Sequence, residues 1–250
     1  VLGESYDTDN DVQDINLTEK QLNTLVMLMS KRVDQRIPLP YITHTAWFMR
    51  RPFYVNFNVL IPRSPFAELI LNQFSPWVSE KNVHSILEIG TGSGCMAISA
   101  ALTFPEALVL ATDISDDALE VADRNVNAYE LTDRIKLIKS DVFQSVTSKY
   151  DIIMTNPPYV PQDEMETLPL EYAHEPKSAL QAGDSGLAIV EKILTSASHY
   201  LNDHGILVVE VGNSQSQVIS RYPDLPFTWL EFEYGGHGVF LLYKSDLDNM

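Results

Sequence analysis

From residue 84 onward, short apolar runs alternate with stretches of helical periodicity, a pattern that restricts the chain to parallel strands flanked by helices. Ser85–Ile89, Leu108–Thr112, Ile135–Ile138, Asp151–Met154 and Ile206–Val211 read as strands. The intervening helices are expected at Cys95–Leu102, after Ser115 as N-cap with Asp116 and Asp117 in the first turn, and at Leu187–Leu201. A short helix is expected near 214–220, and residues 155–183 are Pro-rich without clear periodicity. Two final β-rich runs, Thr228–Phe232 and Val239–Leu242, are joined through Gly235-Gly236-His237-Gly238, which makes the last strand antiparallel. The expected fold is therefore α/β, a doubly wound seven-stranded sheet with one inverted strand.

Upstream, Glu4, Asp7, Asp9, Asp11 and Asp14 stand without a Lys or Arg across residues 1–16, as in an acidic arm. Thr18 and Gln21 have capping-box spacing, and Leu22, Leu25, Val26, Met29 and Val33 recur at helical intervals. A hairpin is expected over Trp47–Leu60, broken at Arg50-Arg51-Pro52. Ser64-Pro65 then opens a helix expected to reach about Pro76. The division is a module at 1–76 and a catalytic domain at 77–250.

Composition narrows the setting. The 250 residues carry 34 acidic and 17 basic side chains, a net charge of −17. An isoelectric point near 4.6 disfavours tight binding to a nucleic-acid backbone and suits a basic protein partner. No apolar run approaches the roughly 18 residues of a membrane span. A single cysteine, Cys95, excludes a disulfide framework, so a reducing, cytoplasmic setting is expected. The chain opens on Val1 rather than Met, so further upstream residues are expected.

Three glycines fall within five residues, Gly90-Thr91-Gly92-Ser93-Gly94, directly after the strand ending Glu88-Ile89. They permit a sharp strand-to-helix turn and close approach of a ligand to the backbone. A nicotinamide fingerprint would need its third glycine where Cys95 stands, and a phosphate-binding loop would need a following Gly-Lys-Ser/Thr. A tight turn without ligand is the plain alternative. Asp113 ends the second strand, where a carboxylate can accept both hydroxyls of a ribose. The fourth strand ends in Asn156-Pro157-Pro158-Tyr159. Ligands of such sheets bind beyond the carboxyl ends of the strands, so this turn faces the same cleft. Two prolines fix φ, remove two N–H donors and leave carbonyls free to accept. The Asn156 side-chain oxygen and the Pro157 carbonyl can each take one hydrogen of a planar NH₂, with Tyr159 against the planar group. A simple proline turn is the alternative.

Glu88-Ile-Gly-Thr-Gly-Ser-Gly94 together with Asn156-Pro-Pro-Tyr159 resembles class I, Rossmann-like S-adenosylmethionine-dependent methyltransferases that modify amides or nucleobases. Arg36-Ile-Pro-Leu-Pro-Tyr41-Ile42 and Val59-Leu-Ile-Pro-Arg63 narrow the resemblance to the HemK/PrmC protein glutamine methyltransferases. Within that family, four sets of residues are similar to the branch acting on large-subunit ribosomal protein L-three. They are Ala46-Trp47-Phe48 with Pro62-Arg63-Ser64-Pro65; Leu168 to Pro176; Glu210-Val-Gly-Asn213-Ser214; and Pro226 to Phe232 running into Gly235 to Phe240. The resemblance covers roughly residues 17–244.

It implies methyl transfer from S-adenosyl-L-methionine, giving S-adenosyl-L-homocysteine, to a glutamine side-chain nitrogen of that basic ribosomal protein. Methylation of release factors, or a non-catalytic role in ribosome assembly, is the alternative; DNA and membrane partners are not expected. By the same resemblance the cofactor meets Glu88, Gly90, Thr91, Gly92, Ser93, Gly94, Asp113, Asp141, Val142 and Asn156. Asn156, Pro157, Pro158 and Tyr159 are the catalytic set. Six histidines without metal spacing and one cysteine imply no metal site. His174 and Glu175 are read as anchors of the long loop rather than acid and base, Phe143 as core, and Cys95 as packing, although its helix start would lower its pKa.

Overall fold

The computed structural model describes residues 16–162, 164–181 and 186–248, so the acidic arm lies almost wholly outside the described residues. Among these residues no helix is long and apolar enough to cross a membrane.

The first helix, α1 (Glu19–Val33), begins where the capping box requires: the Thr18 hydroxyl accepts from the Gln21 N–H and the Gln21 side chain accepts from the Thr18 N–H. Its apolar stripe is not covered, and Leu22, Val26, Met29 and Val33 are all exposed. A short helix, α2 (Leu39–Thr43), leads into the hairpin β1 (Thr45–Phe48) and β2 (Arg51–Tyr54). The hairpin is shorter than its apolar pattern suggests. Met49 and Arg50 both take positive φ, forming a tight two-residue turn, and the chain leaves the ladder after Tyr54. The next helix, α3 (Phe66–Leu71), also stops early, because Gln73 and Phe74 turn into the left-handed region well before Pro76.

The main sheet comprises β3 (Ser85–Ile89), β4 (Leu108–Asp113), β5 (Ile135–Lys139), β6 (Tyr150–Thr155), β7 (Leu201–Glu210), β8 (Thr228–Trp229) and β9 (Val239–Tyr243). Their order is β5-β4-β3-β6-β7-β9-β8, and β9 runs antiparallel to both neighbours. The expected doubly wound sheet with an inverted last strand is thus present. Two strands depart from the expected bounds. β7 starts five residues earlier than its apolar run, since Leu201 pairs with Tyr150 across a register shift and Asn202 bonds Asp151. β8 keeps only Thr228 and Trp229 of the run expected to Phe232.

Alternation along the strands sends side chains to two cores. Ile86, Val109, Ile152 and Val208 face α3 and α4 (Cys95–Thr103), while Leu87, Ile153, Leu207 and Val209 face α6 (Ala188–Tyr200) and α7 (Gln215–Arg221). The chain closes with α8 (Lys244–Leu247). A third cluster seats Tyr41, Val55 and Val59 on α5 (Asp116–Ala128). One buried amide ties that segment to the glycine loop. Asn125 Nδ2 donates to the carbonyls of Tyr54 (3.0 Å) and Ser93 (2.8 Å), and its Oδ1 accepts from the Tyr54 N–H (2.8 Å). Every hydrogen-bonding atom of that amide but one lone pair is used, and they join the hairpin to the glycine loop.

Candidate active site

Beyond the carboxyl ends of β3, β4 and β6 opens a cleft of about 410 Å³. Its floor is the glycine loop. The N–H groups of Gly90 and Thr91 both donate to the Thr112 carbonyl (2.8 and 2.9 Å), which folds the loop back across the end of β4. No atom lies within 4 Å of where a Cβ on Gly90 or Gly92 would stand, so the loop presents bare backbone to open space. Gly94 does a different job: a Cβ there would meet Ala122 at 3.3 Å, so its bareness lets α4 pack against α5.

Two buried carboxyls brace the loop. Glu88 Oε2 accepts from the Thr91 hydroxyl (2.6 Å) and the Ala97 N–H (2.9 Å). Burial pushes its pKa up to about 8, with nearby Asp113 adding to the rise against those two hydrogen bonds. Asp113 Oδ2 accepts from the Gly92 N–H (2.9 Å) and Oδ1 from the Ser115 N–H (3.0 Å). Burial raises its pKa too, opposed by those backbone donors. The α5 cap is the Ser115 hydroxyl, which accepts from Ala118 N–H at 3.2 Å.

Glu88 makes stability depend on pH with a definite sign. Folded, it holds its proton up to about 8; unfolded, it ionises near 4.5, so the folded state binds the extra proton between those values. The resulting stability is fully present below about 4.5 and is lost as pH rises through 8, by on the order of a few kcal/mol in all. Glu88→Gln cannot titrate. Melting temperatures between pH 5 and 8.5 should therefore fall more steeply for the unsubstituted chain than for the variant; parallel curves would refute the buried acid.

One side wall is formed by Ser140, Asp141 and Val142. Asp141 pairs with Lys192 of α6 at 2.8 Å. Val142 lines the cleft at φ +52°, a left-handed conformation that a β-branched residue adopts at a cost of about 1–3 kcal/mol. The Ser140 hydroxyl secures it by donating to the Val142 carbonyl at 2.9 Å. Phe143 turns away into the core and stacks on Tyr200. Cys95, the first residue of α4, borders the cleft, and burial drives its pKa up to about 12, opposite to the lowering its helix position suggests.

The opposite wall carries Thr155, Asn156, Pro157 and Pro158. Asn156 has no hydrogen-bond partner among the described residues, so its amide is available to a ligand. Tyr159 stands behind the turn. Its ring packs on Gly212, where a Cβ would come within 2.7 Å of the ring, and its hydroxyl donates to Glu210 Oε1 at 3.3 Å. Of the expected site residues, Gly94 and Tyr159 alone do not line the cleft.

The roof had no residue-level signal beyond family likeness. It is the linker Asn58–Ser64 with Ser178, Ala179 and Gln181. Arg63 grips buried Glu175 with two bonds, Nη1 to Oε1 at 2.6 Å and Nη2 to Oε2 at 2.9 Å, and lies over the Tyr172 ring. His174 Nε2 lies 2.9 Å from the Gln35 carbonyl, and Glu171 pairs with Arg32 and Arg36. The long loop between β6 and α6 is thereby tied to the N-terminal segment, and neither His174 nor Glu175 reaches the cleft lining.

A family model for the methyltransferase small domain matches residues 67–183. The ribosomal protein uL3 glutamine methyltransferase of Francisella tularensis subsp. tularensis is 44% identical over 245 residues, 97% of this chain and 78% of its own length. Its namesake from Neisseria meningitidis is 43% identical over 235 residues, 94% of this chain and again 78% of the relative. Among solved structures, a methyltransferase from Pyrococcus furiosus aligns with a TM-score of 0.55 over 91% of this chain and 99% of its own, at 18% identity, a likeness of fold.

Proposed function

The chain belongs to the ribosomal protein uL3 glutamine methyltransferases, and from that premise we propose that it methylates a glutamine side-chain amide nitrogen of large-subunit ribosomal protein L-three. The methyl donor in this reading is S-adenosylmethionine, which supplies an electrophilic methyl group on a positively charged sulfur. One observation carries the reading: a single cleft has an open glycine cradle with two carboxyls on one side and an unpartnered asparagine in a proline-locked turn on the other.

The residues present suit that donor. Gly90 and Gly92 leave room against bare backbone, Asp113 suits ribose hydroxyls, and Glu88, protonated up to about 8, would give up its proton to pair with an arriving ammonium group. Asp141 and Val142 would border the base. On the acceptor side, the Asn156 side-chain oxygen and the Pro157 carbonyl would each accept one N–H of the glutamine amide. Holding both hydrogens fixes the nitrogen's direction, which supplies proximity and alignment without a charged base. Once bound, the donor would give its methyl carbon to that nitrogen and keep the carbon–sulfur electron pair on its sulfur; the amide, held at Asn156 and Pro157, would pass one proton to water. Pro158 stiffens the turn. The acidic surface would attract a basic ribosomal protein and speed encounter. Residues 1–76 would form the docking module and 77–250 the catalytic domain.

The test is methyl transfer from radiolabelled S-adenosylmethionine to purified protein L-three and, separately, to a release factor, each from cells lacking its methylase. Label on the ribosomal protein alone is expected. Label on the release factor alone would keep the chemistry and overturn the substrate.

A further inference from the structure

Glu210, the last residue of β7, joins three segments distant in sequence. It is 5% exposed. Its Oε2 accepts from the Ser64 hydroxyl of the roof at 2.5 Å, and its Oε1 accepts from the Tyr159 hydroxyl of the turn at 3.3 Å. The surroundings leave Tyr159 little freedom. Its carbonyl accepts from the Ser214 hydroxyl at 3.0 Å, and its ring lies on Gly212. Gly212 is itself crowded from behind, since a Cβ on Gly238 would come within 2.1 Å of the Gly212 carbonyl oxygen. The turn is seated in a slot built from glycine backbone and pinned at its phenol.

Burying a carboxyl among hydroxyls is not a route to folding stability, because neutral donors only partly replace lost water. No cation bonds Glu210 directly among the described residues; Arg63, the basic side chain that acts on it, is committed to Glu175. An apolar residue there, continuing the buried stretch Ile206–Val209, would fold more cheaply. What the carboxyl provides instead is a two-sided acceptor that fixes the roof against the turn.

We propose that Glu210 is a positioning residue for methyl transfer: by holding Ser64 and Tyr159 at once, it sets the gap through which the acceptor amide reaches Asn156 and the Pro157 carbonyl. The inference rests on the methyltransferase reading above and adds a residue to its machinery. Glu210 does not line the cleft, so it acts through the two hydroxyls and not on the substrate.

Glu210→Gln retains the side-chain volume and one acceptor but turns an NH₂ toward one hydroxyl. With S-adenosylmethionine and protein L-three, its kcat is expected to fall about 10- to 100-fold, the scale of a misplaced reactant. The dissociation constant for S-adenosylmethionine, measured by calorimetry, should stay within about twofold, because the bonds to the glycine loop are untouched. Tyr159→Phe and Ser64→Ala each remove one donor and should lower kcat in the same direction. The Glu210→Gln/Tyr159→Phe double variant should be no slower than the slower single one, since both cut the same bond. Wild-type kcat in Glu210→Gln, or losses that multiply in the double variant, would overturn the proposal. If Glu210→Gln fails to fold, the two hydroxyl deletions decide: reduced kcat in both supports it, and unchanged kcat in both refutes it. An unsubstituted protein that labels nothing would instead overturn the underlying methyltransferase reading, and the inference with it.

Discussion

Asn156→Ala is expected to lower turnover by about 10²- to 10³-fold, the loss typical of removing one fixed polar group that orients a reacting centre, while S-adenosylmethionine still binds. The separation follows from the layout of the cleft. The glycine loop is braced by Glu88 and Asp113 through bonds that do not involve Asn156. Asn156 has no partner among the described residues, so its removal breaks nothing in the folded chain. The amide acceptor would then be gripped only by the Pro157 carbonyl and could rotate about that one bond. Calorimetry with S-adenosylmethionine beside single-turnover methylation separates the effects. Equal losses in affinity and turnover would assign Asn156 to the donor rather than to the acceptor.

The second large effect is on stability and is asymmetric. Arg63→Leu should destabilise the chain by about 3 kcal/mol, the lower end for breaking a buried ion pair. It leaves Glu175, whose side chain is 2% exposed, with only the 3.4 Å N–H of Ile61. The converse change, Glu175→Leu, should cost less. The Arg63 side chain is 38% exposed and its guanidinium can take up water once released. Urea denaturation of both variants tests the order. A larger loss for Glu175→Leu would mean that the pair is held together from the arginine side, by Tyr172 and the linker.

Much of the fold was legible because local chemistry and tertiary demand agree in the sheet. The apolar run Ser85–Ile89 is bounded by the polar His84 and the glycine of Gly90, and β3 occupies that run. Ser115 caps α5 as its spacing requires. Disagreement arose where the chain departs from local rules. Asn202-Asp203-His204-Gly205 falls between the expected helix and the apolar run expected as a strand, but pairing with β6 draws it into β7. Gln73 and Phe74 end α3 in a left-handed bend that neither residue type signals. In the site, the glycine loop, Asp113 and the Asn156 turn announced themselves because each is contiguous. The Arg63–Glu175 clamp spans 112 positions and the Ser64–Glu210 bond 146, distances over which periodicity says nothing. Glu210 alone had a usable signal, an acidic residue at the carboxyl end of a strand, where such sheets bind ligands. Tyr159 was expected against the substrate, whereas its ring rests on Gly212 and its hydroxyl on Glu210.

The strand order also sets a timetable for synthesis. β9 lies between β7 and β8, and among the described residues β8 pairs with no other strand. As the chain emerges, β7 therefore waits with one backbone edge open along its apolar stretch Ile206–Val209, and β8 has nothing to join, until Val239–Tyr243 arrives and satisfies both. A chain interrupted ahead of Val239 would carry every residue that lines the cleft and still offer a naked strand to its neighbours, an invitation to aggregation. The chemical equipment is translated first, and the segment that makes it safe to display comes last.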